Sequence, residues 1–390
     1  MSTPHPSLAT FTAMKDEITG WRHDLHRHPE LAYEEHWTSD FIAAKLESFG
    51  YTPARGIGGT GVVATLDRGE GPSIGLRADM DALPMEERTN LAFASTRPGK
   101  MHACGHDGHV TMLLAAARHL AATDGPPGKI RFIFQPAEEG EAGAAAMIRD
   151  GLFRDHPVDA VYGMHNWPGL PEGSFTARPG PQMAAFDVFE VVIEGQGGHA
   201  AMPHRGQDVL TAAAALQSQA QSIVARMIDP LEPAVVSITE FHGGSTWNVL
   251  PGSVRLAGCT RHMTKATQDR IEQGLGDLCA GIARGFGVSV NLTYDRRYPA
   301  TVNTAAEVAI ALDAARTATD GQVTDSIPPT MASEDFSFML EERPGCFIWL
   351  GAGSTEGGNT LHSETYRFND AILPVGAAYW VALTDHALTA

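Results

Sequence analysis

The chain has 390 residues, 43% of them hydrophobic and 19% charged, with a formal net charge of −18. That length exceeds one ordinary core and points to two domains. The acidic balance argues against nucleic acid and anionic membrane surfaces as partners, although a local Arg can still receive an anionic small substrate. The four cysteines, at 104, 259, 279 and 346, show no framework spacing and read as reduced thiols. With a polar N-terminus that has no basic-then-apolar leader, they predict a cytoplasmic location. No apolar run is long enough for a membrane span. Residues 11–50 carry helical periodicity through Trp21 and Leu25, then Trp37, Phe41, Ile42, Leu46 and Phe49. Pro29 breaks the run, which predicts two helices, the second ended by Gly50. Residues 61–67 and 73–79 predict strands on either side of a Gly/Pro turn. A helix is expected from Val110 to about Ala122, a strand over 129–135, a helix over 142–149 and a strand over 159–165. Strands alternating with helices predict an α/β unit with a mostly parallel sheet.

The middle of the chain has another order: strand 186–194, helix 207–228, strand 234–241, strand 253–261, helix 265–286, strand 288–294. That is the ferredoxin-like βαββαβ plan. Prolines 179, 181 and 299 flank it, so an inserted domain is expected at 182–298. The first pattern then resumes with a helix over 305–319, a strand over 346–350, a glycine-rich loop at 351–354 and a last helix over 370–388. The first domain is therefore discontinuous, 1–181 plus 299–390.

The chemistry gathers at strand ends and helix starts, where open α/β sheets bind ligands. The stretch from Met101 to His109 holds three His, one Cys and one Asp just before an apolar helix. Cys104 and His106 there offer a thiolate and an imidazole, a borderline-soft pair suited to Zn and its neighbours. A helix N-terminus also favours the thiolate over the thiol. Asp79 ends one strand and is placed to orient a ligand imidazole. Glu138 and Glu139 follow another, where one carboxylate can face a metal while its neighbour serves as general base. His165 ends a third strand, and His362 follows the glycine-rich loop. Each of these alone is also explained as a capped turn, a solvated acidic pair or a satisfied core His. In the inserted domain, His199 after two glycines is placed to reach an oxyanion. Asn248 and Arg261 are candidates for a substrate carboxylate, which Arg grips in bidentate fashion.

Five segments in order resemble one family: residues 77–84 (RADMDALP), 102–107 (HACGHD), 134–139 (FQPAEE), 198–204 (GHAAMPH) and 333–336 (SEDF). They are similar to the hippurate hydrolase and auxin-conjugate amidohydrolase group of the aminoacylase and carboxypeptidase superfamily, family twenty of the metallopeptidases. The earlier Leu25 to Leu31 (LHRHPEL) also fits, so the resemblance spans about residues 17–385. It implies a di-metal catalytic domain with an inserted lid and dimerisation domain. It also implies hydrolysis of N-acyl amino acids to a carboxylic acid and a free amino acid, with dipeptidase or carboxypeptidase activity as the alternative. A cysteine-nucleophile hydrolase using Cys104 and a metal-binding protein with no catalysis are the rivals outside the family. Carried over, the ligands are Cys104, His106, Glu139, His165 and His362. Cys104 would bridge two divalent ions, with His106 and His165 on one and Glu139 and His362 on the other. Glu138 would be the base, Asp79 the orienting carboxylate and His199 the carbonyl-polarising lid residue, acting in its own chain or across a homodimer from the partner subunit. Asn248 and Arg261 would meet the substrate. Zn is favoured as the metal, with Mn, Co or Ni as alternatives.

Overall fold

A computed structural model describes residues 5–390. The chain divides into two compact units: one runs to Gln182 and takes in Val302–Pro328 and Asp335–Ala390, and the other comprises Met183–Thr301 and Pro329–Glu334.

The first unit is built on an eight-stranded mixed sheet. Its strands run in the order Ala54–Ile57, Gly61–Asp67, Lys129–Gln135, Ser73–Asp79, Ala160–Trp167, Gly345–Gly351, Phe175–Thr176, Val323–Thr324. The central four, 129–135, 73–79, 160–167 and 345–351, are parallel to one another. Gly345–Gly351 is buried at every position, as a strand covered on both faces must be. Helix His106–Ala121 is buried almost all round and packs against helices Lys15–Arg27 and Leu373–Ala387. One apolar core joins them, including Leu76, Leu113, Leu114, Phe132, Ile348 and Trp380.

The segment before Gly50 forms three helices, Pro6–Ala13, Lys15–Arg27 and His36–Ser48, where two were expected. The additional break falls at Met14, where nothing in the sequence forbids a helix. Gly50 closes the third at φ +95°, a conformation open to glycine.

The second unit carries a four-stranded antiparallel sheet in the order Ala234–Gly243, Ser253–His262, Ala185–Glu194, Ser289–Tyr298. Helices Val209–Ser222 and Lys265–Phe286 pack on it, giving the βαββαβ order of a ferredoxin-like fold. Strand 185–194 alternates buried and half-buried positions, the period-2 signature of a sheet with one covered face. Its core includes Phe189, Val191, Leu216, Leu256, Ile271 and Leu275. Among the described residues no helix is long and apolar enough to cross a membrane.

Candidate metal centre

The parallel strands bring their carboxyl ends to one edge of the first unit's sheet. Asp79 is the last residue of its strand, Glu138 and Glu139 lie just beyond Gln135, and His165 stands in the last turn of pleat of strand 160–167. Helix His106–Ala121 begins there, after a turn that only glycine can make. Gly105 holds φ +95°, and a Cβ on it would lie 2.2 Å from the Asn166 Oδ1. This close approach sets the Cys104 Sγ 3.3 Å from the His165 Nε2. His362 is held at φ +61°, its N–H donating to the Ala103 carbonyl at 2.9 Å, and its Nε2 lies 3.3 Å from the Glu139 Oε1.

The imidazoles are oriented by what their other nitrogens meet. The Nδ1 of His165 donates to the Asn166 carbonyl at 2.6 Å, which leaves Nε2 as a lone-pair donor. The Nδ1 of His106 lies 3.3 Å from the Asp81 carboxylate. Its Nε2 is buried with no hydrogen-bond partner, 3.8 Å from Asp79 and 3.9 Å from Glu139. An orphaned buried nitrogen is rare because it forfeits its solvation, and a cation at this point would satisfy it. Donor atoms gather within 4.8 Å of one another in the set Asp79, His106, His109 and His165, in the set Cys104, Glu139 and His362, and in the set His106, Glu138 and Glu139. One thiol, imidazoles and carboxylates are a donor set that suits borderline transition ions.

The charges are strongly coupled. Burial opposes the charge on His106, but Asp79, Asp81 and Glu139 push it up to about 10. Burial also opposes ionisation of Asp79, yet His106, His109 and Arg77 hold its carboxyl well below the usual carboxylate range. Burial and the neighbouring His109 hold His165 well below the usual imidazole value, so it is neutral and free to ligate. The bond to Glu139 raises His362. The expected thiolate at Cys104 is not what the protein alone produces. Burial and the nearby Glu139, Glu138 and Asp79 push this thiol well above its ordinary value. The helix N-terminus is outweighed by three acidic neighbours, and a cation is the charge that would reverse the balance.

Sequence reasoning named Asp79 as the carboxylate orienting a ligand. In the structure Asp79 accepts from the His109 Nδ1 at 2.6 Å, and the carboxylate beside the His106 Nδ1 is Asp81. His109 Nε2 in turn meets Asn166, whose side-chain amide donates to the Tyr366 hydroxyl at 2.8 Å. On the other side Arg77 donates to Asp79 at 2.8 Å and to Asp335 at 3.1 Å. Asp81, His109 and Asn166 were not singled out. Period 2 along residues 77, 79 and 81 and the i, i+3 spacing of His106 and His109 were the available signals.

Three predicted site residues belong to the second unit. His199 is exposed on a short ribbon in which Gly198–His199 pairs with Val249–Leu250, and Ala200 N–H donates to the Asn248 carbonyl at 3.1 Å. Asn248 is exposed as well. Arg261 is half-buried, its guanidinium 4.2 Å from the Phe186 ring centre and donating to the Ser333 hydroxyl.

Residues 75–386 match the profile of peptidase family M20/M25/M40. The chain is similar to a hippurate hydrolase of Campylobacter jejuni, 38% identical over 95% of this chain and 96% of the relative. It is also similar to an IAA-amino acid hydrolase, ILR1-like 2, of Arabidopsis thaliana, 39% identical over 94% of this chain and 85% of the relative. Among solved structures, the YXEP protein of Bacillus subtilis, described as a dinuclear metal binding peptidase, superposes with a TM-score of 0.85 at 33% identity, over 97% of this chain and 99% of that one.

Proposed function

The chain belongs to peptidase family M20/M25/M40, and on that premise we propose that it hydrolyses the amide bond of N-acyl amino acids, releasing a carboxylic acid and a free amino acid. The observation that carries this reading is Glu138. This buried carboxylate shares one 4.8 Å cluster with His106 and Glu139, which supports a base next to groups that could hold a metal. Two divalent ions would be held by His106 with His165 and by Glu139 with His362, with Cys104 between them. When bound, such a pair brings the pKa of a water close to neutrality and polarises the amide carbonyl. Glu138 takes the proton from the attacking water and passes it to the leaving amine. The Asn166 carbonyl holds the His165 ring and Asp81 stands beside the His106 Nδ1, so each ring would present its Nε2 to an ion.

His199 is the proposed donor to the carbonyl oxygen as it gains charge, and Asn248 and Arg261 are the proposed contacts of the substrate carboxylate. Zn fits the thiol ligand best; Mn, Co and Ni fit the His and Glu ligands. The inserted residues 182–298 are proposed as lid and homodimer interface. Supporting this, strand Ala234–Gly243 is an edge strand, and Leu231 and Trp247 are about nine-tenths exposed. The four free cysteines fit a reducing compartment such as the cytoplasm. A Cys104 nucleophile is disfavoured, because burial and the acidic neighbours keep the thiol protonated.

Free-amine release from a panel of N-acetyl, benzoyl, indole-acetyl and longer N-acyl amino acids, run beside dipeptides, tests the reading. Cleavage of acyl amino acids ahead of dipeptides is the expected result. Cleavage of dipeptides alone would replace the proposal with a dipeptidase.

A further inference from the structure

Glu138 hangs from a loop whose backbone is gripped on both sides. Ala137 stands at φ +54° and Ala142 at φ +56°. Residues with a Cβ keep such left-handed conformations only where their surroundings over-determine them. Ala137 is tied at both peptide groups: its N–H donates to the Glu35 Oε1 at 2.9 Å, and its carbonyl accepts the Gly143 N–H at 3.0 Å. Two residues on, the Glu139 N–H donates to the Asp81 Oδ2 at 3.0 Å. Glu138 is therefore the one residue between two amides clamped by buried carboxylates.

Asp81 also faces His106, so its presence is explained by the ion site. Glu35 has no such reason. It is wholly buried, and its second oxygen accepts from the Thr60 hydroxyl at 2.6 Å. It occupies the N-cap position of helix His36–Ser48, yet its side chain gives that helix no cap bond. Glu30 covers the helix start instead, accepting the Trp37 and Thr38 N–H groups at 3.2 and 2.9 Å. Burial, with Asp81 nearby, pushes the Glu35 carboxyl up to about 7, so keeping it there is unfavourable for the fold. A buried carboxyl that its own helix does not use, aimed at the loop of the base, calls for a functional account.

We propose that Glu35 is a positioning residue for hydrolysis: by fixing Ala137 it sets the direction of Glu138. This rests on the reading of Glu138 as the base of an amidohydrolase. The test combines steady-state hydrolysis of an N-acyl amino acid by the metal-loaded protein with amide hydrogen exchange across residues 135–143. Glu35→Ala is expected to lower kcat about 100-fold, the scale of an ångström-sized misplacement, with KM and metal content unchanged and faster exchange at Ala137. Glu35→Gln, which keeps an oxygen for the Ala137 N–H, should restore most of kcat. An unchanged kcat in Glu35→Ala, or equal losses in the Ala and Gln variants, overturns the proposal. If Glu35→Ala does not fold, Thr60→Val removes the donor that fixes the other Glu35 oxygen. A lower kcat at constant KM in that variant upholds the proposal, and an unchanged kcat overturns it. A parent inert on every N-acyl amino acid would strike down the amidohydrolase reading instead. The exchange data would then decide the clamp alone, faster exchange at Ala137 upholding it and unchanged exchange overturning it.

Discussion

The sheet edge of the first unit and the histidine ribbon of the second hold their polar side chains under opposite conditions. His106, His109, Asp79 and Asn166 are almost wholly buried, and each is aimed by a neighbour of fixed geometry. His199, Asn248 and Trp247 stand in solvent, and the bonds that hold His199 and Asn248 in place are local to the ribbon and its loop. The buried set is pre-organised for ions and a base, and its energetics are contained in the fold itself. On the proposed reading, the exposed set becomes useful only when a substrate or a second copy arrives. Changes to the imidazoles and carboxylates that aim one another in the first region should therefore alter chemistry, metal and stability together, whereas a change at the proposed base, Glu138, should alter chemistry alone. Changes in the second should alter chemistry alone.

The sharpest separation is expected from Glu138→Gln. Losing proton transfer should lower kcat by roughly 10²–10⁴-fold, while metal content and melting temperature stay at parent values. Full activity in this variant would remove Glu138 from the base role. His199→Ala comes next: on the proposed reading, loss of one donor to the developing oxyanion lowers kcat by about 10²–10³-fold. Because His199 is exposed, stability and metal content should not move; if either moved, the contrast between the regions would break.

The smallest effect concerns the packing behind the ligands. His26 lies between Asp107 at 2.8 Å and Glu87 at 3.3 Å, directly behind the turn that bears His106. Burial opposes its charge, but these carboxylates push it up to about 9. A His whose pKa rises on folding contributes its full stabilisation below the unfolded value, near 6.5, and loses it as pH climbs through about 9. Chemical denaturation at about pH 6 and about pH 10 should show a fall of up to about 3 kcal/mol from this group. His26→Gln should flatten that slope and His199→Ala should leave it intact. An identical slope in the His26 variant would show that another group carries it.

Much of the buried region is legible in the sequence because it obeys simple periods. Apolar strands such as 73–79, 129–135 and 160–167 carry or lead into polar residues at their ends, so Asp79, the two glutamates and His165 could be placed at one sheet edge before any coordinates. The βαββαβ order of the second unit is legible for the same reason. Two-residue strands such as Phe175–Thr176 and Val323–Thr324 carry no period and went unseen. The helix expected over 207–228 ends instead in a π turn at Ile223–Met227, which no local signal marks. Choosing between Asp79 and Asp81 required distances, since both lie on one face of one strand end. The state of the Cys104 thiol was misjudged because a helix N-terminus is visible in sequence, whereas three carboxylates folded around it are not. Glu35 was invisible, being one member of an ordinary Glu-Glu pair whose partner in space lies about a hundred residues away.

The central claim is that the buried cluster is a di-metal hydrolytic centre. Its most direct test follows metal content and N-acyl amino acid hydrolysis together, through chelation and through add-back of Zn, Mn, Co or Ni. The account predicts two ions per chain, hydrolysis that falls to background as they are removed, and recovery when they return. Hydrolysis that persists in protein shown to be free of metal would contradict it and return Cys104 to consideration as a nucleophile.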